Sequence, residues 1–176
     1  MPEIIKTYRQ ALPALRFIGK QYGDADRVDG TFSSKWDEWF QRGWFTLLEQ
    51  AAGASLENIC EDGGAYLGLM RSKESEAFQY WIGMLTPVGT AVPDGFFALD
   101  FPALELAVAW VQGKENTGEL YCQEEKCLQA LAQAGIGVRP ARDGAWWCAE
   151  RYVCPRFTTP DAQGNIILDI CFLQGL

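Results

Sequence analysis

The sequence predicts an α+β domain: two βαββ units related by an approximate two-fold axis, sharing one antiparallel sheet with both helices on one face and a central ligand cleft. Three observations carry this expectation. Pro13-Ala14-Leu15 and Pro102-Ala103-Leu104, 89 positions apart, each open a segment in which bulky residues alternate with polar or small ones, as in a strand with one covered face. Gly64-Ala65-Tyr66-Leu67 and Gly144-Ala145-Trp146-Trp147 match in the same chain order, 80 positions apart. Between the paired segments each half holds one stretch of helical periodicity, and each half ends on a further apolar strand.

Along the chain, residues 12–22 read as the first strand. Residues 32–52 read as a helix, with Trp36, Phe40, Trp44, Leu47, Leu48 and Ala51 on one stripe and Ser33 or Ser34 as its cap. Residues 64–71 and 78–85 are the next strands, and the Pro and Gly residues of 86–100 suit a linker. The second unit repeats the order: a strand at 101–113, a helix at 118–134 capped by Asn116 or Thr117, and strands at 144–153 and 166–173. A three-stranded half cannot cover both its faces, so the repeats, 12–85 and 101–173, fuse into a single domain spanning 1–176.

Composition narrows the function. The chain has 15 Lys+Arg against 23 Asp+Glu, a formal charge of -8, which argues against nucleic acid or an anionic membrane as partner because both need clustered cations. The amino end, MPEIIKTYRQ, lacks the features of a signal peptide and no long apolar run follows, so a cytoplasmic location and free thiols at all six cysteines are expected. With no histidine, no His-based triad or His metal site exists. Cys122 and Cys127, and Cys148 and Cys154, are spaced unlike a Cys-x-x-Cys pair, and no phosphate-binding or nucleophile-elbow motif is present. No metal and no cofactor are expected.

Glu150 is the sharpest signal. Strand alternation puts it on one face with Trp146, Cys148 and Tyr152, among rings, while its repeat mate is the apolar Met70. A buried carboxylate is costly unless its pKa rises, a partner is found or a cationic ligand arrives; alternatively it faces water or pairs with Arg71 or Arg151. Of the seven tryptophans, Trp36, Trp44 and Trp81 suit helix-to-sheet packing, whereas Trp39, Trp110 and Trp146 suit either a core or a cavity wall. Tyr66 and Tyr80 add rings with polar tips. Aromatic walls beside one carboxylate fit a planar or cationic organic molecule.

The βαββ duplication, LAVAWVQG (Leu106 to Gly113) and the closing AERYVCPRFTTPDAQGNIILDICFL resemble the GyrI-like effector-binding domains, over about residues 10–174. These occur free-standing or behind the DNA-binding parts of AraC-type and MerR-type multidrug regulators. The resemblance implies that Glu150 meets cationic aromatic drugs in a central pocket. Only MPEIIKTYR precedes residue 10, so a free-standing binding protein rather than a complete one-chain regulator is expected. The expected site is Glu150 with Trp39, Tyr66, Tyr80, Trp110, Trp146 and Tyr152, taking a hydrophobic, planar, cationic small molecule. Some relatives bind DNA gyrase, and others hydrolyse cyclopropane-bearing alkylators. For that alternative Glu150 would be the acid or base, and Asp169, Glu105 or Glu38 would have to point inward as a second carboxylate.

Overall fold

In a computed structural model, which describes residues 1–53 and 56–176, every strand pairing is antiparallel. The elements are β1 (Glu3–Leu12), β2 (Leu15–Tyr22), α1 (Ser33–Gln41), α2 (Trp44–Ala52), β3 (Tyr66–Ser72), β4 (Gln79–Thr86), β5 (Phe97–Phe101), β6 (Leu104–Gly113), α3 (Glu124–Gln133), β7 (Trp146–Tyr152) and β8 (Ile166–Gln174). The eight strands form one open sheet in the order β1-β6-β8-β7-β3-β4-β2-β5.

The duplication is visible in the register. At the centre, β3 pairs with β7 so that Leu69 lies opposite Ala149, and these two are themselves repeat mates 80 positions apart. The pseudo-two-fold axis therefore passes through that pair. Moving outward, β4 corresponds to β8, β2 to β6 and β5 to β1. The pairs flanking the axis are Gly68 with Glu150 and Met70 with Cys148.

Two short corners bend the sheet. β1 is first and β2 seventh in the strand order, yet only Pro13 and Ala14 separate them; β5, eighth, and β6, second, are likewise joined by Pro102 and Ala103. A three-residue step reaches about 11 Å at most. The two wings must therefore curl toward each other. The apolar clusters agree with this geometry. One continuous cluster, including Leu15, Phe17, Leu69, Leu104, Leu106 and Cys171, draws on both halves and fills the concave face. The convex face carries two separate clusters, one under α1 and α2 with Ile18, Trp39 and Ile82, the other under α3 with Leu131, Leu168 and Ile170.

The sequence expectation differs from the structure at identifiable points. The prolines stand in the corners, not inside strands, because a proline gives no N–H to a ladder. The edge strand β1 lies ahead of the first expected strand, and β5 falls largely in the stretch read as a linker. The first helix is two, broken at Gly43, whose φ of 64° is left-handed. Phe32, not a serine, occupies the N-cap position of α1, and Gln123 that of α3; Asn116 and Thr117 lie in a separate 3-10 turn. All helices share one face, as expected. No helix among the described residues is long and apolar enough to cross a membrane.

All six cysteines are unpaired. Six thiols are expected to react with Ellman's reagent in denatured, unreduced protein, and a count of four or fewer would contradict the structure on this point.

Candidate functional site

Glu150 sits one residue from the pseudo-axis on the convex face, where α1 and α2 flank it on one side and α3 on the other. It is 8% exposed. Its Oε2 accepts two hydrogen bonds, from Tyr80 Oη at 3.1 Å and Tyr152 Oη at 3.0 Å. Tyr80 Oη in turn accepts from Trp36 Nε1 at 3.0 Å. The second carboxylate oxygen, Oε1, takes no hydrogen bond from the described residues.

The strand ladder explains how these groups meet. Gly68 lies opposite Glu150, Tyr66 opposite Tyr152, and Tyr80 opposite Met70, so all share one face across β4, β3 and β7. Rings fix the hydroxyls: Tyr80 is stacked on Phe32 with centroids 4.1 Å apart, and Tyr152 meets Trp36 at 4.7 Å and Phe157 at 4.8 Å, both edge-on. Gly68 leaves the necessary space. A Cβ there would stand 2.5 Å from Tyr80 Oη and 3.0 Å from Glu150 Oε2. Gly68→Ala is therefore expected to push the Tyr80 hydroxyl off the carboxylate and cost about 1–3 kcal/mol in urea unfolding; a neutral effect would mean the site repacks freely.

No cation neutralises Glu150. Among the described residues no lysine or arginine forms an ion pair with it; Arg71 pairs with Glu76 and Asp143, and Arg151 with Asp169. Burial raises the Glu150 pKa to about 7, the two tyrosine hydrogen bonds oppose that rise, and the charge of Glu124 at the start of α3 adds to it. Burial, reinforced by this carboxylate, holds the Tyr80 and Tyr152 hydroxyls well above their ordinary range, so both remain donors.

The residues expected at the site separate into groups. Glu150, Tyr80 and Tyr152 are in contact. Tyr66 is beside them on the same face, its ring stacked on Phe45 at 3.7 Å and its hydroxyl donating to Glu49 of α2 at 2.9 Å. Trp146 lies at the outer start of β7 and is 42% exposed. Trp39 is wholly buried under α1, its Nε1 donating to Tyr22 Oη at 2.9 Å. Trp110 is on the opposite, concave face, with Lys6 4.2 Å and Arg156 4.6 Å from its ring. Strand parity places it there, since β6 turns Leu106, Val108 and Trp110 to the concave side.

Trp36 packs on the α1–α2 cluster as expected and in addition donates to Tyr80 beside Glu150; Trp44 belongs to the same cluster, and Trp81 to the concave one. The aromatic spacing Trp36, Trp39, Phe40 pointed to a ring-rich helix but not to which ring faces the axis. None of the three acids considered as a second carboxylate joins Glu150. Asp169 is on the concave face, Glu105 pairs with Arg9, and Glu38 with Arg42. Among the described residues no group of three His, Cys, Asp or Glu side chains is arranged to hold a metal ion.

No family model and no curated protein matches the chain. Solved structures do. A protein from Staphylococcus aureus MU50, with a suggested role in bacterial transcription regulation, is 16% identical over 97% of this chain and 99% of its own, with a TM-score of 0.60. SAV2435 bound to tetraphenylphosphonium is 16% identical over 97% of this chain and 94% of its own, with a TM-score of 0.61. EcmrR in a complex with DNA is 13% identical over 97% of this chain but 58% of its own, with a TM-score of 0.56. The likeness is one of fold.

Proposed function

We propose that this chain is a GyrI-like binding protein for hydrophobic aromatic cations, with Glu150 as counter-charge and Trp36, Tyr80 and Tyr152 as the rings around it, serving in effector sensing or sequestration in the cytoplasm. The observation that carries the reading is a buried carboxylate with no basic partner, held by two hydroxyls on one oxygen and enclosed by aromatic side chains. Such a group is destabilising when ionised and unpaired, and a desolvated cation relieves that cost while its substituents gain stacking. The capture of tetraphenylphosphonium by SAV2435, a protein of the same fold, supports the ligand class.

The direct experiment titrates tetraphenylphosphonium and the uncharged triphenylphosphine oxide into the protein by tryptophan quenching. Trp36 donates to Tyr80 at the site, so the phosphonium should quench and saturate. No saturable binding of the cation at pH 8 would remove the proposal.

The pH dependence follows from the raised pKa. Below about 7 the folded-state carboxyl holds a proton that a bound cation must expel, so affinity should fall about tenfold per pH unit below 7 and level off above it. The neutral oxide should show no such slope. For stability the sign runs the other way from a salt-bridged acid. The folded state binds more protons than the unfolded one between about 4.5 and 7, so this group's contribution weakens as pH rises through that window.

A further inference from the structure

The concave side of the sheet contains a cavity of about 40 Å³ at the pseudo-two-fold axis. Its walls include two pairs of repeat mates, Leu15 with Leu104 and Phe17 with Leu106, together with Leu85 and Leu173. The axis pair forms part of the lining, but it is unequal, Leu69 on β3 and Ala149 on β7. Where perfect symmetry would put a second leucine, the alanine leaves space.

The loop from Cys60 to Gly63 borders the cavity and is tied down at two points, to β1 and to the loop after β7. Gln10 Nε2 donates to the Glu61 carbonyl at 2.8 Å, and the Asp62 carboxylate accepts from both terminal nitrogens of Arg156, at 3.1 and 2.6 Å. Two buried or half-buried charges reach the lining, Arg151 and Asp62, and both belong to one network with Asp169 and Arg156. Two cations and two anions balance there. Glu61 also borders the cavity but is exposed, so the buried charges offer a ligand no unpaired counter-ion, and water in a leucine-lined space would lack partners for its hydrogen bonds. An apolar occupant restores the dispersion contacts that the empty volume forfeits.

We propose that this cavity is a second small-molecule site, selective for an uncharged, compact apolar ligand and separate from the cation site at Glu150. Strand β7 serves both faces. Cys148, Glu150 and Tyr152 face the helices, while Ala149 and Arg151 line the concave cavity. The two faces therefore select opposite properties, a cation on one side and a small neutral hydrocarbon-like group on the other.

Xenon is the probe that matches the size and the chemistry. Leucine methyl resonances are recorded under increasing xenon pressure. Saturable shifts are expected for Leu69, Leu104 and Leu106 and are expected to persist in Glu150→Gln. Ala149→Val, which fills the space with a residue suited to a strand, should weaken xenon binding at least tenfold while leaving the phosphonium titration unchanged. Should that variant not fold, Leu69→Ala enlarges the cavity and should tighten xenon binding. Absence of saturation, shifts centred on the Glu150 side, undiminished binding in folded Ala149→Val, or no tightening in Leu69→Ala would each overturn the second site.

Discussion

Asp169→Ala is expected to lower stability by about 3–5 kcal/mol, the largest effect of any single substitution considered, because it leaves two arginines facing an empty place in the core. Asp169 is fully buried, and its carboxylate accepts from Arg151 Nε at 3.0 Å and from Arg156 Nε at 2.9 Å, and also from Nη2 of each arginine. Arg151 also donates to Gln10 Oε1 at 2.7 Å and Tyr8 Oη at 3.0 Å, so β1, β7, β8 and the Asp62 loop all converge on this network. Small domains have about 5–15 kcal/mol in total, so the variant should be close to unfolding at room temperature. The check is the urea midpoint and slope. A loss below about 1 kcal/mol would mean that water reaches the arginines and that the network is not sealed.

Glu150→Gln should weaken tetraphenylphosphonium by about 1.5–3 kcal/mol, roughly 10- to 150-fold, the range for hydrogen bonds to charged groups. Glutamine keeps the size and can still accept from a tyrosine, so triphenylphosphine oxide should lose much less. The same substitution should stabilise the unliganded protein at pH 8. An acid moved from 4.5 to about 7 costs on the order of 3 kcal/mol when ionised, and glutamine does not ionise. Weaker cation binding together with higher stability is the signature of a charge held for a ligand. Equal loss for both ligands, or a less stable protein at pH 8, would instead make Glu150 a structural residue.

Much of the architecture was legible in the chain because its two halves repeat the same apolar alternation. The pairs Pro13 with Pro102 and Ala65 with Ala145 located the mates, and the axis then fell between Leu69 and Ala149. What escaped was long-range. Residues 3–12 alternate weakly because β1 is an edge strand with much of one face exposed, and β5 is only five residues long inside a Pro- and Gly-rich stretch. Glu150 was readable as a charge among rings with an apolar mate. The identity of its neighbours was not. Trp36 and Trp39 are three residues apart on one helix, yet one bonds Tyr80 and the other Tyr22. Trp110 needed the parity of β6 relative to β7, which depends on how three strands register, a relation that no local pattern encodes.

The corners at Pro13-Ala14 and Pro102-Ala103 have a further consequence for how the chain comes together. Each corner hands an edge strand to the other half: β1 pairs with β6, and β5 pairs with β2. The repeats are thus interlaced like clasped hands, and neither half, excised at the 86–97 connection, would retain all its ladders. Leu12 finds Leu104 as its partner only after some ninety intervening residues have been placed. Folding must then be a closing event for the whole sheet, not the docking of two finished units, which favours a single cooperative transition and a slow approach to it. An ancestral pair of separate modules, if joined this way, would have exchanged autonomy for mutual dependence, so that a lesion at one edge is felt at the opposite end of the sheet.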